Sequence, residues 1–177
     1  DIFEPRSTYK LSKIVGEVMC VNSGVPYTIL RPHNIYGPRM GMDHVIPELI
    51  KKMIEIKDSD IIKIKSYEHT RAFCYIDDAI NIIALIVDSS FTKNKVLNLG
   101  CEKPEISIGA LAELINKVIN KKIIFQPGKI ENGSPSRRSP DMAYTLSLID
   151  SYDYFSLEEG LKKTFNWYSK FISKGCF

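Results

Sequence analysis

The chain has 177 residues, of which 44% are hydrophobic and 25% charged, and its formal net charge is +3. This suits one globular domain with a substantial core, and the near-balanced charge gives no indication of a nucleic-acid-binding surface. No apolar run reaches the length of a membrane span. The four cysteines form no C-x-x-C pair and do not cluster with the three histidines. We therefore expect free thiols, a reducing cytoplasm and no metal site.

A helix is predicted from Tyr9 to about Ser23, which Gly24 ends and Pro26 keeps from resuming. Tyr9 and Lys13 are four residues apart, so they lie on one helical face. A neighbouring ammonium favours the phenolate form of a tyrosine, which can then exchange a proton with an alcohol. The alternative is a surface Tyr and Lys on an amphipathic helix. Because the other faces are apolar, we expect this helix to pack against its own domain and against something else, such as a second subunit.

Alternating strands and helices follow, which is the pattern of an α/β fold. Strands are predicted at 26–31, 61–65, 71–76, 96–100 and 123–125, and helices at 44–56, 79–87, 107–119 and from 156 onward. Ser107 is predicted to cap one helix, and Ser156 with Glu159 forms a capping box at the last. Because the helix at 79–87 is nearly all apolar, we expect it to be deeply buried. Polar loops are predicted at 32–39 and 126–140.

Several motifs occur in the order and spacing of one known family. They are Tyr9-x-x-Ser12-Lys13-x-x-x-Glu17, Arg31-Pro32-x-Asn34-x-Tyr36-Gly37-Pro38-Arg39, Asn98-Leu99-Gly100 and Leu157-Glu158-Glu159-Gly160-Leu161. Across residues 5–166 the chain resembles the extended short-chain dehydrogenase/reductase superfamily, specifically its NAD-dependent nucleotide-sugar epimerases, dehydratases and decarboxylases. Details such as Arg138-x-Pro140-Asp141 are similar to UDP-glucuronate decarboxylases. The resemblance implies the C-terminal part of a Rossmann-like parallel sheet plus a smaller mixed α/β substrate-binding lobe.

The resemblance also implies roles for the cofactor side of the site. Tyr9 would be the general acid/base, and Lys13 would favour its phenolate form and bind the nicotinamide ribose of NAD. The backbone of Pro32 would lie near the nicotinamide carboxamide. These three residues would therefore carry the redox half of the chemistry.

On the substrate side, the resemblance implies a diphosphate site. Asn34, Arg71 and Arg138 would contact the diphosphate of a UDP- or dTDP-linked sugar, a task that suits the guanidinium group. Each has an alternative reading. Asn34 can be a turn-forming residue, Arg71 a strand-end ion-pair partner, and the pair Arg137-Arg138 part of a solvated loop.

The rest of the nucleotide would be held by three further residues. Val45 and Lys63 would edge the base pocket through backbone contacts, and Asp141 would accept a hydrogen bond from the ribose. We interpret the neighbouring carboxylates Asp77 and Asp78 as helix-capping residues rather than as part of the site.

Two departures from the family pattern stand out. The family usually has glycines before the Arg71 motif, whereas Lys65-Ser66-Tyr67-Glu68-His69 occupies that turn here. No G-x-x-G-x-x-G sequence, which would cradle a dinucleotide pyrophosphate, occurs in the 177 residues. We therefore interpret residues 1–177 as a C-terminal portion, the end of the Rossmann domain interleaved with the substrate-binding lobe, without the N-terminal dinucleotide-binding part.

Two functions of different classes remain open. In the first, the full-length protein is a homodimeric enzyme that modifies a nucleotide-diphosphate sugar through a 4-keto intermediate, by 4-epimerisation, dehydration or decarboxylation. In the second, this polypeptide is a non-catalytic nucleotide-sugar-binding fragment that cannot hold NAD alone. A third interpretation is an unrelated α/β domain whose motifs coincide by chance.

Overall fold

A computed structural model describes residues 7–130 and 133–172. The helices are α1 (Ser7–Val21), α2 (Val45–Glu55), α3 (Ile76–Asp88), α4 (Ile108–Ile119), α5 (Ala143–Leu146) and α6 (Leu157–Ile172). The strands are β1 (Thr28–Pro32), β2 (Ile35–Tyr36), β3 (Ile61–Ile64), β4 (Thr70–Ala72), β5 (Cys74–Tyr75), β6 (Lys95–Leu99), β7 (Glu105–Ser107), β8 (Ile124–Pro127) and β9 (Arg137–Arg138). Among the described helices, none has the length and apolar character needed to cross a membrane.

Parallel strand pairs dominate the sheet structure. Strand β1 pairs with β6, β2 with β5 and β3 with β8, all in parallel. Strand β4 lies between β7, which is antiparallel to it, and β9, which is parallel. This arrangement confirms a mixed α/β fold with parallel Rossmann-like pairing. The prediction of a polar loop at 126–140 is wrong at two places, because β8 extends to Pro127 and β9 forms by pairing with β4, which is distant in sequence.

Two clusters of buried apolar side chains hold these elements together. The larger one joins α2, α4 and α6 and includes Ile46, Ile50, Met53, Leu111, Ile115, Leu161 and Tyr168. The smaller one joins α3 to β6 and includes Ala79, Ile82, Ile86, Leu97 and Leu99. Full burial of one such large aliphatic side chain contributes about 1.5–3 kcal/mol. The buried thiols of Cys74 and Cys101 belong to the smaller cluster and are free.

Local signals at the helix ends are confirmed. The Ser107 Oγ accepts a hydrogen bond from the Ala110 amide at 3.0 Å. At the start of α6, the Glu159 carboxylate accepts from the Ser156 amide at 3.0 Å, and the Ser156 Oγ accepts from the Glu159 amide at 3.3 Å. Both arrangements satisfy helix N-terminal donors that would otherwise lack partners.

The expectation that α3 is deeply buried is wrong for one of its faces. Ile82 and Ile86 are buried against the smaller cluster, whereas Ile80 is 55% and Val87 75% exposed. The apolar residues surround the helix, but within the described residues only one side of it is covered. Apolar composition therefore overstated its burial, because composition does not reveal which elements are available to cover a face.

We expect Gly160→Ala to destabilise the protein by about 1–3 kcal/mol, although alanine is the better helix former. A Cβ at this position of α6 would lie 2.1 Å from the hydroxyl oxygen of Tyr36 and 3.0 Å from the ring of Tyr75. Both rings are buried, so relief requires the core to shift. Urea unfolding monitored by circular dichroism measures the change.

The matched control for this prediction is Gly16→Ala in α1. A Cβ there would meet nothing within 4 Å, so helix propensity alone acts and stability or helix content should stay level or rise. Equal unfolding midpoints for Gly160→Ala and the unmodified chain would show that the space around α6 is looser than the structure indicates.

Candidate functional site

A cavity of about 270 Å³ brings together four of the residues singled out from the sequence. Asn34, from the β1–β2 connection, and Val45, at the start of α2, line it together with Arg71 and Arg138. Arg71 on β4 lies opposite Arg138 on β9 in the parallel register of those strands. Two arginines therefore line one cavity, which favours an anionic ligand, and two carboxylates of the 43–48 segment line it as well.

Arg71 is buried, with 8% of its surface exposed, and it organises the loop before β9. Its Nη1 donates to the Thr70 carbonyl at 2.7 Å, and its Nη2 donates to the Pro135 carbonyl at 2.7 Å and to the Ser134 Oγ at 2.9 Å. Burial, followed by the charge of Arg138, lowers the pKa of Arg71. Both of its Nη atoms therefore bond protein groups, and Arg71 is also one of the residues that line the cavity.

The adjacent arginines of β9 have different environments. Arg137 forms an ion pair with Glu105, whose carboxylate lies 2.7 Å from its Nη2. The same carboxylate accepts a hydrogen bond from the Thr70 hydroxyl. Arg138, one residue later, lines the cavity instead. Because side chains alternate along a strand, the two arginines do not both face the cavity. The interpretation of the pair as a solvated loop is right about their exposure and wrong about the loop, since they form the two-residue strand β9.

Asn34 joins the two strands that carry the cavity arginines. Its Nδ2 donates to the Ala72 carbonyl at 2.9 Å and to the Arg138 carbonyl at 3.3 Å. Its backbone has a φ of 44°, a left-handed conformation that asparagine tolerates better than most residues. The side-chain amide nitrogen of Asn34 therefore connects the two strands. Because Asn34 lines the cavity, its Oδ1 atom is the part of the amide that is left to contact a ligand.

Tyr9 and Lys13 share one face of α1, as their spacing predicts. The Lys13 Nζ lies 5.2 Å from the centroid of the Tyr9 ring. Tyr9 is 66% exposed and is not among the residues that line the cavity. The expectation that α1 packs against its own domain is wrong within the described residues, because α1 has no buried residue.

A hydrogen-bonded ion pair joins α1 to the strand that leads to the cavity. Arg31 of β1 donates from Nε to the Glu17 Oε1 at 2.8 Å and from Nη2 to the Glu17 Oε2 at 2.6 Å. Pro32 follows directly as the last residue of β1 and is exposed. Glu17 lies on the same face of α1 as Tyr9 and Lys13. Its bonds to Arg31 thus link that face to the end of β1.

The first 100 residues, more than half of the chain, match the family described as the NAD dependent epimerase/dehydratase family. The chain belongs to this family. The UDP-glucuronic acid decarboxylase 1 of Xenopus tropicalis is 31% identical to it over 177 aligned positions, which cover 94% of the chain and 40% of that relative. A putative UDP-glucose 4-epimerase of Methanocaldococcus jannaschii is 33% identical, covering 92% of the chain and 53% of the relative.

Solved structures of family members have the same fold. The UDP-glucuronic acid 4-epimerase from Bacillus cereus, crystallised with UDP-glucuronic acid and NAD, superposes with a TM-score of 0.80 at 28% identity. The match covers 94% of this chain and 54% of that structure. The chain thus spans about half the length of the relatives it matches.

Two residues with family-implied roles lie at the margin of the cavity or outside it. Lys63 on β3 is exposed and lines a small neighbouring groove that also contains Val45. Asp141 is exposed and does not line the cavity; its Oδ1 accepts a hydrogen bond from the Ala143 amide at 2.9 Å, at the start of α5. Neither placement tests the proposed contacts with base and ribose, which remain predictions.

Sequence reasoning missed Lys65, Ser66 and Ser134, which also line the cavity. Ser66 has a φ of 51°, so it adopts the left-handed conformation at the turn where the family usually has glycine. The departure from the family pattern thus keeps a glycine-like backbone at one position of that turn. Nothing in the sequence distinguishes Ser134 from the other polar residues around it, because its role depends on contact with Arg71.

His33 stands in the chain between Pro32, the last residue of β1, and Asn34, which lines the cavity. Its amide donates to the Leu99 carbonyl at 2.8 Å, which fixes the chain just beyond β1. Burial lowers the pKa of His33, a hydrogen bond with Asn98 raises it in part, and the charges of Arg138 and Arg31 lower it further. The imidazole therefore favours the neutral form near two positively charged groups.

The interpretation of Asp78 as a helix cap is wrong. Its carboxylate is 1% exposed and accepts hydrogen bonds from the Tyr152 hydroxyl at 2.7 Å and the Phe155 amide at 3.1 Å. It therefore ties α3 to the segment that precedes α6. Burial raises the pKa of the Asp78 carboxyl, and the bonds from Tyr152 and Phe155 lower it in part.

This raised pKa predicts a pH dependence of stability. Because the folded state binds the Asp78 proton more tightly than the unfolded state, its contribution is fully present below the unfolded pKa of about 4 and is lost as the pH rises through the folded pKa. Asp78→Asn removes the ionisation, so the stability of this variant relative to the unmodified chain should rise with pH. Urea unfolding between pH 3 and 7 measures it.

A second variant, Tyr152→Phe, checks the cause. It removes a donor that favours the charged carboxylate, so stability should fall more steeply with pH than in the unmodified chain. A constant stability difference between Asp78→Asn and the unmodified chain at every pH would contradict the assignment.

Proposed function

We propose that this chain is the substrate-binding part of an NAD-dependent enzyme that modifies a nucleotide-diphosphate sugar through a 4-keto intermediate, by epimerisation, dehydration or decarboxylation. The observation that supports it most is the convergence of Arg71 and Arg138 on one cavity. Guanidinium groups suit the tetrahedral, multiply charged phosphate better than other side chains do. Relatives named for UDP-sugars support the uridine nucleotide over others.

In this proposal the exposed guanidinium of Arg138 binds the diphosphate directly. Arg71 adds charge and holds the loop on which Arg138 depends, and Asn34 keeps the two strands together. Val45 and Lys63 would border the base, and Asp141 would accept a hydrogen bond from the ribose through the carboxylate oxygen that does not bond Ala143. The nucleotide would thus lie from α2 across the cavity to β9.

The catalytic step belongs to α1. Tyr9 removes a proton from the sugar hydroxyl as that carbon is oxidised, and returns it when the product is reduced. Lys13 lies next to it on the same helical face, with its Nζ 5.2 Å from the centroid of the Tyr9 ring. NAD, when bound, supplies the hydride acceptor. Tyr9, Lys13 and Pro32 would hold the nicotinamide end of NAD, and both Tyr9 and Pro32 are exposed.

We also propose that a further dinucleotide-binding part completes the enzyme. No glycine-rich pyrophosphate cradle occurs in these 177 residues, and the relatives are about twice as long. We expect the full-length enzyme to be a homodimer. The apolar residues of α1 support this, because Leu11, Ile14, Val15, Val18 and Met19 are between 47% and 68% exposed. The second candidate, a nucleotide-sugar-binding fragment without catalysis, fits the same observations.

Calorimetric titration of UDP into the 177-residue chain tests the binding half of this proposal. We expect UDP to bind, and Arg138→Ala to weaken it by about 10–100-fold, because a charge-assisted bond to phosphate is lost. Arg137→Ala is the matched control: its neighbouring guanidinium is paired with Glu105 and should matter little. Equal loss in both variants would show that general positive charge, and not the cavity, binds the ligand.

NAD titration then separates the two candidates. UDP binding without measurable NAD affinity favours the binding fragment for the isolated chain, whereas turnover of a UDP-sugar by the full-length protein establishes the enzyme. Absence of UDP binding by the unmodified chain would contradict both.

A further inference from the structure

Among residues 7–130 and 133–172, nothing packs closely against the helix that carries Tyr9 and Lys13. Within the described residues, α1 has no buried side chain, and its apolar residues are exposed. Its Glu17 is half-buried, with 27% of the side chain exposed. Glu17 lies four residues after Lys13 and eight after Tyr9, so the three share one face. Within the part of the chain that the structure describes, the orientation of that face is therefore set by contacts other than a buried core.

The contact between Glu17 and Arg31 has the geometry needed to set the orientation of this face of α1. Two parallel hydrogen bonds, at 2.8 and 2.6 Å, join the guanidinium to both carboxylate oxygens. Such a two-bond pairing fixes both the distance and the relative rotation of the groups. The bond to Arg31 lowers the pKa of Glu17, and the bond to Glu17 raises the pKa of Arg31, so both charges persist at neutral pH.

The strand on the other side of this contact is held firmly. Arg31 pairs in register with Asn98 on β6, and the next residue, Pro32, pairs with Leu99. The His33 amide bonds the Leu99 carbonyl, and the Asn34 side chain bonds Ala72 and Arg138. Arg31 is thus fixed to the same framework that places Arg138 in the cavity.

We propose that Glu17 and Arg31 are positioning residues that hold the Tyr9–Lys13 face of α1 at a set distance from the end of β1 and from the phosphate-binding arginines. This inference rests on the proposed function for its effect on rate. Exposed ion pairs stabilise proteins little, and 55% of the Arg31 side chain is exposed. The pair therefore acts on the placement of the acid/base and adds little to the stability of the fold.

The first measurement is hydrogen–deuterium exchange of the 177-residue chain, which needs neither NAD nor turnover. Glu17→Gln keeps the size of the side chain and removes its charge, so amides of α1 should exchange faster while the affinity for UDP is unchanged. The double variant Glu17→Arg with Arg31→Glu recreates the pair in reverse and should restore slow exchange. Glu158→Gln is the matched control, because it removes exposed ion pairs with Lys117 and Lys162 elsewhere.

The second measurement is steady-state kinetics of the full-length NAD-loaded enzyme. Glu17→Gln and Arg31→Lys should lower kcat by about 10–100-fold, the cost of a displacement of roughly 1 Å at a reacting group, with KM for the nucleotide sugar nearly unchanged. The reversed pair should recover part of kcat. A kcat within about twofold of the unmodified enzyme in both variants, or unchanged exchange of α1 amides in Glu17→Gln, would overturn the proposal.

The two failures are distinguishable. If the unmodified full-length protein turns over no nucleotide sugar, the proposed function fails. The positioning role of Glu17 and Arg31 is then decided by hydrogen–deuterium exchange of the α1 amides alone, and unchanged exchange in Glu17→Gln overturns it.

Discussion

Replacing Tyr9 by phenylalanine should lower kcat of the full-length NAD-loaded enzyme by about 10²–10⁴-fold, the range that general acid–base catalysis contributes. The hydroxyl is the proposed site of proton exchange with the sugar, and phenylalanine keeps the ring but not the proton. Because Tyr9 is 66% exposed, the substitution should leave the free energy of unfolding unchanged. Initial-rate measurements with a saturating nucleotide sugar give kcat, and calorimetry gives the affinity for UDP, which should be unchanged.

The control for this prediction is Tyr144→Phe. Tyr144 is 52% exposed on α5, so the same atom is removed from a tyrosine of similar exposure that the proposal gives no chemical role. It should keep full activity. If Tyr9→Phe also retained full activity, Tyr9 would not be the acid/base, and Lys13 would lose its assigned partner.

The features that the sequence predicted well depend on neighbours along the chain. Ser107 and the Ser156–Glu159 capping box were identified because each cap lies within three residues of the amide it satisfies. The i,i+4 spacing of Tyr9 and Lys13 likewise places them together on any helix. Element order then followed from hydrophobic periodicity, which reports the local backbone and is independent of tertiary contacts.

The features that the sequence could not predict depend on distant partners. Asp78 resembles a helix cap in sequence, yet its hydrogen-bond partners are Tyr152 and Phe155, more than 70 positions away. In the same way, only the register of β9 against β4 decides that Arg138 and not Arg137 reaches the cavity. Register is set by tertiary pairing, and the sequence of a two-residue strand carries too little pattern to specify it.

The burial of α1 illustrates a different limit. Its apolar residues predict a surface that another element covers, but they do not indicate which element that is. Within the described residues that surface is open. The proposals that a dinucleotide-binding part and a second subunit cover it are therefore separate from the α/β assignment, which holds either way.

Arg71→Lys should have a large effect on both stability and ligand binding. Lysine keeps the charge but lacks the planar fork that bonds Thr70, Ser134 and Pro135. Leaving these acceptors unpaired in a buried site should cost about 2–4 kcal/mol in the free energy of unfolding. The affinity for UDP should fall by about 10–100-fold, as measured by calorimetry under conditions where the variant is folded.

The physical reason for the loss of affinity can be tested separately from its size. Because the Nη groups of Arg71 are occupied by the protein, we expect it to act mainly by holding the 134–136 loop and, through it, Arg138. The losses of affinity in Arg71→Lys and Arg138→Ala should therefore not add in the double variant, which should bind about as weakly as Arg138→Ala alone. Arg137→Lys, which changes the neighbouring guanidinium, should leave the affinity nearly intact. Additive losses would mean instead that Arg71 gives up its loop contacts and bonds the diphosphate directly.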